Sequence, residues 1–320
     1  MGDSGEQERS SEGPFEESRV VPIGDNDLIK SESSFPQARK VPPRQILLLS
    51  ESLATDGGLI AIADVSEAMR DAGLELGYRV MGGIAVMLHV LRTGVDIAIR
   101  STGDADYGVP PRVLTEGHLV EEIEERGYTK TEGNRWERRV DDARTATVDL
   151  LIPAHTSRAR SSRQVGEVNT TEVPGLAEAF LAEPCVIDAE FVLTSGERLN
   201  ARVVLPDAKS MILLKAGARR VRNEDRDATD LWRCLEVANA DRVIAADFEG
   251  PDLAQIRNFL HRELRRGGTS LSVIVRNLSQ EVKGQTTTRI QALLGRIIGV
   301  SRGLVDLIGR QVMSFSNWPS

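Results

Sequence analysis

Asp104 and Asp106 stand on either side of one residue in the stretch Arg100-Ser101-Thr102-Gly103-Asp104-Ala105-Asp106-Tyr107-Gly108-Val109. On an extended strand, side chains two residues apart point to the same face, so these carboxylates project side by side. Like charges that close repel unless a cation sits between them. A divalent ion with oxygen ligands, Mg²⁺, answers that repulsion. Taken alone, an Asp-x-Asp pair is equally what a solvated surface turn behind Gly103 looks like. Three other features weigh against the turn: Gly82-Gly83 opening an apolar segment, Asp149 inside an apolar strand, and Lys215 followed by Asp227 and Asp230.

Each of these has its own chemistry and its own plainer explanation. A Gly-Gly turn at a helix start lets backbone N–H groups approach phosphate, where the helix dipole favours an anion. It is also an ordinary tight turn between strand and helix. Asp149 lies in Thr147-Val148-Asp149-Leu150-Leu151-Ile152, where an unpaired carboxylate is costly. It is expected to hold a metal, against the alternatives of an edge cap or a buried salt bridge. Lys215, Arg219 and Arg222 recur along one helix face, and Asp227 and Asp230 share a face of the next helix. Either these make surface salt bridges worth at most ~1 kcal/mol, or Lys215 meets a triphosphate and Asp230, with Asp227, steadies it or serves near the reacting centre.

In this order the residues resemble the nucleotidyltransferase superfamily with the DNA-polymerase-β-like palm, and within it the AbiEii-type toxin branch. The Gly82-Gly83 helix start, the Arg-x-Thr-x-Asp-x-Asp strand from Arg100 to Asp106, Lys215, and Arg226-Asp227-Ala228-Thr229-Asp230-Leu231 carry the resemblance, which covers roughly residues 74–235. It implies an α+β fold: a palm of mixed sheet flanked by helices, followed by a C-terminal helical subdomain. It implies Mg²⁺-dependent transfer of a nucleoside monophosphate from an NTP, ATP among them, with Asp104, Asp106 and Asp149 as metal ligands. Gly82, Gly83, Arg100, Thr102 and Lys215 would bind the nucleotide, and Lys215 and Asp230 would join the three aspartates in catalysis. For Arg100 a strand-end salt bridge is the competing role. The acceptor is not legible in the sequence; by resemblance the protein is the toxin of a toxin–antitoxin pair, with an antitoxin as protein partner, in a branch some of whose members add nucleotides to tRNA. A small-molecule or protein acceptor, or a palm that binds nucleotide without turnover, are the alternatives. The chain departs from the wider superfamily in having Gly-Gly where many members have Gly-Ser, and in a longer gap over 95–100.

Residues that position this chemistry must come from the surrounding pattern. Residues 1–44 are rich in Ser, Glu, Gly, Pro and Asp, and are expected to be a disordered arm. The palm is expected over 45–206 and helices over 207–320. Residues 45–50 read as a strand or helix start, 50–56 as a turn, and 59–76 as a helix. A helix is expected over 84–91, with His89 packed or exposed, and another over 112–126. Strands are expected at 104–109, 128–130, 135–140 and 146–152, and 155–163 as a polar loop whose Arg158, Arg160 and Arg163 either grip a phosphate backbone or are simply solvated. Strands at 186–193 and 198–205 form a hairpin around Ser195-Gly196, and Asp207 caps a helix. Further helices follow at 252–266, 271–278, 288–298 and 304–312.

The net charge of −8 argues against a protein that coats nucleic acid non-specifically. Two cysteines without Cys or His company, Cys185 and Cys234, suit neither a disulfide framework nor zinc. No apolar run is long enough to span a bilayer and no secretory leader is expected, which fits a cytoplasmic protein with no membrane partner.

Overall fold

The computed structural model describes residues 44–116, 118–154 and 160–299. The expected arm, the helix at 304–312 and Arg158 lie outside the described residues. Within them the fold is mixed α/β: two mixed sheets flanked by helices, continuing into a run of helices.

The larger sheet is built around β6, Thr145–Pro153. Its buried residues Ala146, Val148, Leu150 and Ile152 give it an apolar face of strict alternation. β3 (Ala105–Gly108) runs parallel along one edge, and β2 (Arg79–Met81) pairs antiparallel beyond it. Two strands share the other edge of β6. β5 (Arg135–Arg139) pairs antiparallel with its first half, and β8 (Val168–Val173) parallel with its end. β4 (Thr129–Glu132) extends the sheet past β5, and β7 (Arg163–Val165) forms a hairpin with β8. The smaller sheet has the order β1-β9-β10, with β1 (Arg44–Leu49) parallel to β9 (Cys185–Val192) and β10 (Arg198–Leu205) antiparallel to it.

α1 (Leu53–Asp71) lies across the larger sheet, and its start differs from expectation. The segment 50–56 is not a turn: Ser52 caps the helix by accepting from the Thr55 N–H at 3.1 Å. Gly57 and Gly58 are both helical and serve close approach. A Cβ on Gly57 would run into the Thr145 carbonyl of β6, and one on Gly58 would lie 2.9 Å from the Gly103 carbonyl. Nearby, Asp56 is fully buried. Burial pushes its carboxyl up, but hydrogen bonds from Ser50 and Thr194 and the Arg144 charge outweigh this and hold it low.

The expected helix over 112–126 is two short ones, α3 (Pro111–Thr115) and α4 (Leu119–Glu125), with Leu119 and Ile123 buried. α2 (Gly82–Thr93) starts at the glycine pair and ends on Gly94 in the left-handed conformation. His89 on it is buried. Arg92 donates to its Nδ1 at 2.8 Å, so its Nε2–H donates to the Pro206 carbonyl at 2.9 Å. Burial first, and then the Arg92 charge, hold this imidazole neutral.

The β9–β10 hairpin falls where expected, preceded by α5 (Leu176–Leu181). α6 (Ala208–Arg222) is capped by Asp207, which accepts from the Ser210 N–H at 3.0 Å. α7 (Asp225–Ala240), α8 (Pro251–Leu264), α9 (Thr269–Val275) and α10 (Gln280–Leu293) complete the described chain, α10 closing in a π-turn over Leu294–Ile298. The last of these helices starts eight residues before the expected 288, because Ser279 caps it and its first turns carry few apolar residues. One apolar core runs through both sheets and the helices after them, from Leu48 to Ile298.

Candidate functional site

Strand register assembles the site. Met81 on β2, Asp106 on β3, Asp149 on β6 and Arg135 on β5 are successive register partners across four strands. Residues level with one another across a sheet project to the same face, so both aspartates and the arginine stand in one row. Asp104 is exposed in the segment just before β3, two residues from Asp106.

The carboxylates of this neighbourhood fall into two kinds. Asp149 is buried, and the Arg135 guanidinium takes both of its oxygens, Nε to Oδ1 at 2.9 Å and Nη2 to Oδ2 at 2.7 Å. Asp230 is buried between cations. Lys215 Nζ lies 2.8 Å from Oδ2, Arg233 Nη1 2.9 Å from Oδ1, and Arg100 Nη2 3.7 Å from Oδ2. Asp227 is buried with Oδ1 bonded to Arg222 Nη2 at 3.1 Å, while its Oδ2 has no partner. Among the described residues, Asp104 and Asp106 make no hydrogen bond or ion pair.

Asp106 carries the consequence. Burial, then the charge of Asp149, raise its carboxyl to about 6; Lys215 and Arg222 pull the other way, and Asp104 adds to the rise. Asp104 is also close enough to act on Arg135 and Arg226. The unpartnered pair is therefore ringed by fixed positive charge on β5, α6 and α7.

The glycine turn touches the same carboxylate. Gly82 has φ of +73°, and a Cβ there would collide with Asp106 Oδ2. A Cβ on Gly83 would collide with Arg100 Nη2 and meet Thr102 at 3.2 Å. No side chain caps the helix start they form. Arg100 and Thr102 thus lie over the turn, on an irregular segment pinned to the head of α1 by Ser101, whose hydroxyl is 2.5 Å from that of Thr55.

The structure brings together Gly82, Gly83, Arg100, Thr102, Asp104, Asp106 and Asp149 on one side, and Lys215, Asp227 and Asp230 behind them. It revises two placements. The Lys215–Asp230 pair is not a surface salt bridge, since both side chains are about 95% covered. Arg163 does not belong to a loop: it opens β7 and donates to Glu172 at 3.1 Å, and Glu172 also accepts from the Arg160 N–H at 3.0 Å. Arg135 and Arg233 went unnoticed in the sequence. Arg233, three residues after Asp230, had a legible helical spacing. Arg135 had none, because a strand partner is set by register.

A divalent ion suits the unpartnered oxygens of exposed Asp104 and half-buried Asp106. As placed, however, no three His, Cys, Asp or Glu side chains among the described residues form a metal-holding group. The third carboxylate, Asp149, is spent on Arg135, although a carboxylate keeps further lone pairs when it accepts one guanidinium. No helix among the described residues is long and apolar enough to cross a membrane. The chain matches no family model and no curated protein.

Proposed function

We propose that this chain is a nucleotidyltransferase that moves a nucleoside monophosphate from an NTP to an acceptor, as a palm-type enzyme of the AbiEii kind. One observation carries the reading: two adjacent carboxylates, Asp104 and Asp106, are left without partners beside a glycine helix start, while every other acid around them is neutralised by a cation. A protein gains nothing in stability from such a pair. It suits a site that waits for positive charge.

Asp104 and Asp106 would hold Mg²⁺, with the remaining lone pairs of Asp149 completing the set. The ion would supply charge stabilisation at the attacking and leaving oxygens. The protein's own groups do the rest. The N–H groups of the Gly82-Gly83 helix start have no side-chain cap and would be offered to phosphate oxygens. Arg100 and Thr102, lying over Gly83, reach phosphate oxygens from the other side. Asp230 fixes Lys215, Arg233 and Arg100 in one cluster, and this sets the positive potential against which the triphosphate is oriented. Lys215 keeps two donors beyond the one on Asp230. Asp227 holds Arg222 toward Asp106.

RNA, tRNA in particular, is the acceptor we propose, with the protein acting as the toxin partner of an antitoxin. The test is to incubate the protein with each α-labelled NTP, Mg²⁺ and total cellular RNA, and to look for label in RNA and in protein. Label entering RNA in the wild type and not in Asp106→Asn is the expected result. Label in protein alone would move the acceptor to a side chain. No transfer with any NTP would overturn the enzymatic reading.

A further inference from the structure

The pairing of Arg135 with Asp149 leaves a conflict inside the site. Asp149 is level with Asp106 and is the natural third oxygen donor, yet both its oxygens are held by one guanidinium. The partner is built to leave. Asp149 is buried on the central strand, but the Arg135 side chain is 39% exposed. It stands beside the Gly133-Asn134 turn, on a ribbon whose outer strand β4 is exposed at every residue. Moving Arg135 disturbs a rim, whereas moving Asp149 would disturb the core.

We propose that Arg135 is an exchange residue. In the free protein it closes Asp149, and on arrival of a triphosphate it transfers its fork to phosphate oxygens and releases Asp149 to the cation. The inference rests on the nucleotidyl-transfer reading. The exchange is favourable because a guanidinium fork matches carboxylate and phosphate geometry equally well. The site also gains the anion that a displaced arginine needs and the cation that an uncovered Asp149 needs. A triphosphate alone leaves Asp149 unpaired in a covered place, and a cation alone must displace a guanidinium that holds both Asp149 oxygens. Metal and triphosphate therefore bind with positive coupling, and Arg135 is the residue that couples them. Because it acts on the metal through Asp149, Arg135 is a positioning residue toward the cation, and a direct ligand only of the phosphate.

Two titrations of the full chain test this, each without turnover. Mn²⁺ alone is followed by its paramagnetic signal, and inorganic tripolyphosphate alone is followed by calorimetry in EDTA. In Arg135→Gln, removal of the competing guanidinium from Asp149 should tighten Mn²⁺ by about tenfold, while loss of the fork weakens tripolyphosphate by about tenfold. Opposite signs are the signature, since a merely structural arginine would weaken both together. Arg135→Lys keeps a charge on Asp149 without a fork, and guards against a Gln variant that does not fold. It should lose tripolyphosphate affinity several-fold and keep or tighten Mn²⁺. Parallel weakening of both ligands, or no change in either, in a variant that melts like the wild type overturns the exchange and leaves the wider function standing. Wild-type protein that holds neither Mn²⁺ nor tripolyphosphate overturns both.

Discussion

Asp106 is the residue at which sequence, fold and chemistry meet, and its electrostatics are measurable without any substrate. Its carboxyl is raised from 3.8 to about 6 by burial and by Asp149. A raised carboxyl favours the folded state at low pH, and that contribution is lost as pH rises through the folded value. At pH 8 the ionised group therefore costs the metal-free protein about 1–3 kcal/mol, given its half-buried position. Asp106→Asn removes this cost. In EDTA the variant should melt higher than the wild type at pH 8, and the gap should shrink between pH 6 and 4 and vanish below it. A variant less stable at pH 8 would show that the carboxylate has a partner holding it. The pair Asp104/Asp106 was legible because spacing on a strand decides which face a side chain takes. What the spacing could not convey is that Asp106 is half-buried and Asp104 exposed, since that depends on where β3 begins.

At the scale of elements, the glycines separate what local pattern can say from what it cannot. Gly82-Gly83 and the Asp207 cap were readable because both act through neighbouring backbone. Gly57 carried no such local signal, because its reason lies 88 residues away at the Thr145 carbonyl. A Gly inside a helix costs about 0.5–1 kcal/mol against Ala, so propensity alone argues for replacement. The packing argues the reverse. Gly57→Ala must push α1 off β6 and is expected to destabilise by about 1–3 kcal/mol, whereas the same change at Gly284, where a Cβ meets nothing within 4 Å, should stabilise α10. Chemical denaturation of the two variants decides, and a stabilised Gly57→Ala would sink the close-packing account. The β7–β8 hairpin was missed for a related reason. Its strands are short and polar, and only pairing with the end of β6 and the Glu172 bonds to Arg160 and Arg163 make them strands.

For the whole molecule, the core is the organising fact. Val203 in the smaller sheet and Leu260 on α8 are both fully buried in one apolar cluster. Substituting either with Ala is expected to cost about 2–5 kcal/mol for Leu and somewhat less for Val. Both variants should shift one shared thermal transition. Two transitions, one moved by each variant, would divide the core into independent parts. The chain's net charge is −8, while the site itself is ringed by arginines. An anionic substrate is then drawn by local field rather than by the molecule's overall charge, and its affinity should fall with salt accordingly.

The smaller sheet has one more consequence, and it concerns how the protein is made. β1 pairs in parallel with β9, which is synthesised about 140 residues later, after every strand of the larger sheet. At about 5–20 residues per second, β1 is made roughly 7–28 seconds before its partner exists. During that interval the Arg44-Gln45-Ile46-Leu47-Leu48-Leu49 strand has nothing in its own chain to pair with. The nascent protein thus carries a leucine-rich segment without its native partner, and the smaller sheet can close only after every strand of the larger one has been made.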